Sequence, residues 1–96
     1  MQDDEFEWDD TKAATNLVDH KVSFDAARLA FGDVFAVSRE DRRESYGEER
    51  HLLIGMAQDR LLAVVYTLRE ERLRIISARF AEPRERRRYH EENTQD

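Results

Sequence analysis

Three groups of side chains in this 96-residue chain combine residue types and spacings suited to proton transfer and anion stabilisation. Lys12, Asn16 and His20 stand at i, i+4 and i+8, one line along a helix. They offer an ammonium for a phosphate, an orienting amide, and an imidazole for acid–base work. Without a substrate, the same three residues are a solvated helix flank with a half-buried histidine bonded to a backbone carbonyl. The run Arg74-Ile75-Ile76-Ser77-Ala78-Arg79 sets two guanidiniums at the ends of an apolar strand. A charge there must meet a carboxylate, a phosphate or water, because an unpaired buried charge is very costly. Each arginine therefore either clamps a phosphate or closes a salt bridge to Glu85, Glu7 or Asp9. The run Pro83-Arg84-Glu85-Arg86-Arg87-Arg88-Tyr89-His90 puts Glu85 and Tyr89 on one helical face among arginines. It reads either as a solvated charged face or as equipment for metal-free RNA cleavage. In that chemistry a carboxylate or histidine takes the 2′-hydroxyl proton, an acid protonates the leaving 5′ oxygen, and arginines stabilise the added charge on phosphorus.

Other chemistries lack their residues. There is no cysteine, so disulfides, thiolate metal sites and a cysteine nucleophile are excluded. Gly32, Gly47 and Gly55 are too scattered for a phosphate-cradling loop. His20, His51 and His90 have no metal-site spacing, and no nucleophile elbow surrounds a serine. Neither a metal nor an organic cofactor is expected. The longest apolar run, Leu61 to Tyr66, is far short of the roughly 20 residues a membrane span needs, and the acidic N-terminus does not resemble a signal peptide. A cytoplasmic domain with no membrane contact is the expectation.

Charge adds a direction. The formal net charge of −6 comes from 22 acidic against 16 basic residues. The first ten residues carry six acids and no base, whereas residues 79–90 carry five arginines and two glutamates. Fourteen of the 16 basic residues are arginine, whose planar fork suits phosphate or carboxylate. An acidic chain with an arginine-rich end fits a local phosphate site or a salt-bridged interface, and it argues against this chain binding DNA by itself.

Hydrophobic periodicity supplies the elements that position these groups. Phe6 and Trp8 alternate with acids as a short edge strand. Asp9 or Asp10 caps a first helix with Ala13, Ala14, Leu17 and Val18 on its core face and His20 closest to that stripe. Ser23 caps a second helix, with Val22 as a staple residue and Phe24, Ala27 and Phe31 inward, ending at Gly32. Strands are predicted at 34–37, 52–57, 61–67 and 73–78, with turns at 58–60 and 70–71 and a charged connection over 39–49. The last helix starts near Glu82 with Pro83 in its first position and runs to about Glu92. The order β-α-α-β-β-β-β-α gives a single α+β domain over 1–96, with residues 1–4 and 93–96 frayed. Its four to five strands form an antiparallel sheet, because the connections are too short for crossovers. The helices cover one face, and strict alternation places Arg74 and Arg79 on opposite faces.

The residues also carry a family likeness. Phe6-Glu7-Trp8-Asp9, Lys12, Asn16, His20, Val22-Ser23-Phe24, Ala27, Phe31 and Asp33 resemble the N-terminal half of the BrnT family of toxins. Arg50, Gly55, Val65-Tyr66-Thr67, Arg74 to Arg79, Ala81, Arg84-Glu85-Arg86 and Tyr89 resemble its second half. The sequence departs from the family in the highly charged segment 39–49 and in 68–72, which lacks a Gly-rich turn. The resemblance implies a RelE-like fold and the toxin of a bacterial type II toxin–antitoxin pair. That toxin is a metal-independent endoribonuclease that inhibits translation. It is neutralised by a ribbon-helix-helix antitoxin of the BrnA kind and reaches operator DNA only through it. His20, Arg74, Arg79 and Glu85 are the expected catalytic residues, and Lys12, Arg50, Arg86 and Tyr89 the expected RNA contacts. The alternative is a non-catalytic binding module that acts with a partner protein in operon autoregulation.

Overall fold

The computed structural model describes residues 1–41 and 49–94. Along the chain it contains β1 (Phe6–Glu7), α1 (Asp10–His20), α2 (Phe24–Ala30), β2 (Val37–Asp41), β3 (Arg50–Ala57), β4 (Arg60–Arg69), β5 (Arg72–Phe80) and α3 (Pro83–Glu92). The class is α+β, as the periodicity implies, with the five strands in one sheet ordered β1-β5-β4-β3-β2.

The sheet is mixed, not wholly antiparallel. β2 to β5 form an antiparallel meander, but β1 lies parallel to β5, with Phe6 opposite Leu73 and Glu7 opposite Arg74. The short-connection argument holds for strands joined by tight turns. The helical stretch between β1 and β2 is long enough to carry the chain across the sheet, which frees β1 to take the far edge in the other sense. The β3–β4 and β4–β5 turns each consist of two residues, Gln58-Asp59 and Glu70-Glu71, all with positive φ. These mirror-image turns match the twist of the strands although no glycine or asparagine occupies them.

Helices cover both faces. Asp9 caps α1 through the Thr11 and Lys12 amides at 2.8 and 3.1 Å, and Ser23 caps α2 through the Ala26 amide at 3.0 Å. Both helices pack on the face that carries Phe6, Trp8, Val22, Phe24, Leu62, Val64 and Ile75. Trp8 meets Phe24 edge to face at 5.7 Å, and Phe6 meets Phe31 at 5.3 Å. α2 sits close against β3 at Gly55, where a Cβ would approach the Ala30 carbonyl oxygen to 2.7 Å. α3 lies on the opposite face, where Ala81 and Tyr89 pack with Leu52, Ile54, Leu61 and Ala63. The expectation of helices on one face fails because Ala81, Glu85 and Tyr89 form a narrow inward stripe that needs its own apolar floor.

Two further expectations change. Val34 and Phe35 form a turn instead of beginning a strand, and they are 88% and 57% exposed. Asp33 accepts the Phe35 amide at 2.9 Å and closes that turn, so pairing with β3 begins at Val37. Of the charged connection, residues 39–41 belong to β2 and residues 42–48 lie outside the described residues.

On α1 the stripe rotates. Asn16 is buried, Ala13 is half-buried, and Leu17 and Val18 are 49% and 68% exposed. His20, placed nearest the core by periodicity, is exposed. The reason lies at the edge of β5, which β1 covers only at Leu73 and Arg74. Beyond that point the Asn16 side chain takes the place of a strand. Its Oδ1 accepts the Ala78 amide at 3.1 Å, and its Nδ2 donates to the Ala78 and Val22 carbonyls, both at 2.8 Å. Satisfying buried backbone groups outweighs the gain from turning Leu17 and Val18 inward.

Asn16→Ala removes one acceptor and two donations at once. It should cost about 3 kcal/mol, because three buried backbone groups lose their partners. The check is urea unfolding, where the midpoint should fall with the slope unchanged; a loss below about 0.5 kcal/mol would mean that water replaces the amide.

Candidate active site

The site is built on an irregularity in β5. Opposite β4, Ser77 pairs with Val65 and Ile75 pairs with Tyr66, so Ile76 is an extra residue without a partner. Such a bulge advances the alternation of the strand by one. Ile75 and Ala78, three apart, therefore both enter the α1–α2 core. Arg74, Ser77 and Arg79 share the opposite face with their β4 partners Thr67, Val65 and Ala63. This corrects the expectation from strict alternation, since the bulge brings Arg74 and Arg79 to one face, the face on which α3 lies.

Each arginine meets a carboxylate named from the sequence. Arg74 Nη1 donates to Glu7 Oε2 at 2.6 Å. Arg79 grips Glu85 with both ends of its fork, Nη1 to Oε1 at 2.8 Å and Nη2 to Oε2 at 2.9 Å. Glu85 stands in the first turn of α3, where the Glu82 amide also donates to Oε1 at 2.8 Å. Burial by itself would raise the Glu85 carboxyl. The hydrogen bonds from Arg79 and Glu82 and the positive charges of Arg79 and Arg39 outweigh it and hold the group below the ordinary glutamate value. At neutral pH Glu85 is a buried carboxylate.

One turn on, Tyr89 is buried and turned towards the sheet. Its hydroxyl donates to Asp33 Oδ2 at 2.7 Å. Burial and that bond push its pKa up to about 12, so it stays a phenol. Asp33 also accepts the Met56 amide at 2.8 Å, and its bonds keep its carboxyl below the usual range although burial pulls the other way. Tyr89, expected to touch RNA, thus fastens α3 to the loop after α2.

Between β2 and α3 lies a cleft of about 560 Å³ lined by Arg39, Glu40, Asp41, Ile54, Arg84, Glu85 and Arg88. Arg84 and Arg88, one turn apart, form its α3 wall, and Arg88 Nε holds Glu92 at 2.6 Å. Arg86, expected as an RNA contact, is exposed and does not line the cleft. Sequence reasoning missed Arg39, Arg84 and Arg88. The inward stripe Ala81, Glu85, Tyr89 leaves Arg84 and Arg88 on one flank and Arg86 on the other, but only the position of β2 selects between them.

The structure brings Arg74, Arg79 and Glu85 to one face. Arg50, half-buried at the start of β3 opposite Asp41, lies on the same face by register. It does not bring Lys12 and His20 there. With Asn16 and Ile76 these line a separate shallow hollow of about 230 Å³ beside α1. Among the described residues no group of three or more histidine, aspartate or glutamate side chains converges as a metal site.

Residues 8–85 match the model of a family described as "Ribonuclease toxin, BrnT, of type II toxin-antitoxin system". No curated protein matches the chain.

The depressed carboxyl of Glu85 ties stability to pH. A group whose pKa falls on folding adds stability that is present above its unfolded value and lost as pH drops through its folded one. The protein should therefore lose stability in acid below about pH 4.5. In Glu85→Gln, unfolding midpoints across that range should decline less steeply than in the wild type. Parallel declines would show that Glu85 contributes nothing to the acid dependence.

Proposed function

Because the chain belongs to the BrnT family of type II toxin–antitoxin ribonuclease toxins, we propose that it is a metal-independent endoribonuclease working on the α3 face of its sheet. The observation that carries this reading is the buried Glu85 carboxylate, held in the fork of Arg79 at the edge of an arginine-walled cleft. Such a carboxylate is ionised and oriented before RNA arrives. A carboxylate offers about four lone-pair sites, of which the Arg79 and Glu82 bonds occupy three. The remaining site, on Oε2, accepts the proton of a 2′-hydroxyl. The 2′ oxygen then bonds to phosphorus and the bond to the 5′ oxygen breaks, with a proton delivered from water. The products are a 2′,3′-cyclic phosphate and a 5′-hydroxyl. Arg79 and Arg74 stabilise the additional negative charge on phosphorus, and Arg50 and Arg86 hold the strand on either side. His20 and Lys12 stand outside this centre.

Cutting messenger RNA in this way halts translation. The protein that neutralises it is an antitoxin with a ribbon-helix-helix domain of the BrnA kind, through which alone the pair reaches operator DNA. The exposed Leu17 and Val18 on α1 support a protein partner, since they are large apolar groups on a small surface.

Inducible expression of the wild type beside Arg79→Lys and Glu85→Gln tests the reading, with growth and total RNA followed together. The wild type should arrest growth and lose intact RNA. Arg79→Lys keeps the charge but not the bidentate fork, and both variants should be at least about 100-fold less active with unchanged circular dichroism. A folded wild type that neither arrests growth nor degrades RNA would leave a regulatory binding module instead.

The pH dependence tests Glu85 as the base. With Glu85 in the role, kcat/KM should stay level from pH 8 to about 5 and fall only in the carboxylate range. A kcat/KM that already falls between pH 8 and 6 would overturn the role of Glu85.

A further inference from the structure

We propose that the cleft between β2 and α3 is a second phosphate subsite. In it, Arg39 and Arg84 grip the phosphodiester next to the one being cut, so the enzyme acts on a strand and not on an isolated dinucleotide. This rests on the nuclease reading above and extends it to Arg39, which the family likeness does not include, and to Arg84, to which it gives no role.

Arg39 projects from edge strand β2, and Arg84 stands in the first turn of α3, so two separate elements converge on one cavity. Its volume, about 560 Å³, is in the range of small-ligand sites. Among the described residues neither arginine has a hydrogen-bond or ion-pair partner, whereas Arg74, Arg79 and Arg88 each hold a carboxylate. Arg39 acts on the Glu85 carboxylate through its charge alone, and neither guanidinium is tied to a carboxylate oxygen, so both forks are open to an anion in the cavity. A phosphate fits, because arginine binds its oxygens through paired donors.

The cleft is continuous with the reaction centre. Glu85 lines both, and its carboxyl feels the charge of Arg39. A phosphate held by Arg39 and Arg84 therefore belongs to the nucleotide adjoining the cut. Glu40 and Asp41 also line the cleft, and both have interactions of their own.

The test compares uncleavable 2′-O-methyl oligonucleotides with one and with two phosphodiesters, titrated against the intact protein by NMR at several salt concentrations. The second phosphodiester should tighten wild-type binding about tenfold and steepen the salt dependence by about 0.7 in log–log slope. Arg39→Ala/Arg84→Ala, checked for an unchanged fold by its amide spectrum, should lose both gains. Retention of both in the double variant would overturn the subsite. So would an acidic peptide that binds more tightly than the longer oligonucleotide and is released by the same substitutions, since the cleft would then serve a protein. RNA cleavage by the wild type is measured separately. A two-phosphodiester gain without cleavage keeps the subsite and removes the nuclease, and cleavage without the gain does the reverse.

Discussion

The amide of Asn16, bonded to the backbone of Ala78, holds the candidate site's face of the sheet in place. β5 needs a partner on its outer side, and β1 is too short to supply one past Arg74. The Asn16 side chain supplies both donor and acceptor there, just beyond the bulge at Ile76. With Ala78 pinned, the shifted alternation of β5 cannot slip back, and Arg79 is committed to the α3 side. Arg79 then fixes Glu85, and Glu85 fixes the first turn of α3. A residue on one face of the sheet thus decides where the charges lie on the other, through one strand with no freedom to slide.

The α3 helix depends on polar groups to an unusual degree. Only Ala81 and Tyr89 join it to the apolar floor of the sheet. The rest of its docking is the Arg79–Glu85 fork, the Tyr89–Asp33 bond and the Asn93 amide, which donates to the Phe35 carbonyl at 2.9 Å. A partly buried ion pair adds little net stability over an apolar contact of the same shape. What it adds is direction, since a bidentate fork tolerates only one orientation of carboxylate and guanidinium. The seat of α3 and the electrostatics of the cleft are therefore one set of bonds.

Much of this was legible in the sequence. The order of elements, a cap at Asp9 or Asp10 and one at Ser23, Val22 before the second helix and Pro83 at the start of the last all follow from residue types and spacing, and Glu7 and Glu85 stand among the three carboxylates offered to the two arginines beside a phosphate. The failures at Ile76 and on α1 originate in backbone groups that only a distant part of the chain can satisfy. Nothing in Arg-Ile-Ile-Ser-Ala-Arg marks Ile76 as extra; the bulge exists in the pairing with β4. Asn16 looked like one polar member of a helical trio because its partner is 62 residues away. Leu17 and Val18 had the right period for a core and lost the place to that amide. Val34 and Phe35 had strand propensity, but Asp33 turns the chain first. Arg39, Arg84 and Arg88 were hidden for a related reason, since a cleft between an edge strand and a helix appears only when both are docked.

The separation of charge along the chain has a consequence for how the molecule meets a polyanion. Its total charge is negative, and the acids of the first ten residues gather around β1 and the start of α1, while exposed arginines line α3. Within a Debye length, about 8 Å at physiological ionic strength, RNA meets an orienting torque more than a general attraction. An encounter through the acidic end is repelled and dissolves quickly, and only an approach by the arginine end persists. A uniformly basic protein of this size would adhere to any nucleic acid in any pose. On the nuclease reading proposed above, this one would rotate before binding, trading residence on RNA at large for correct presentation of a single face.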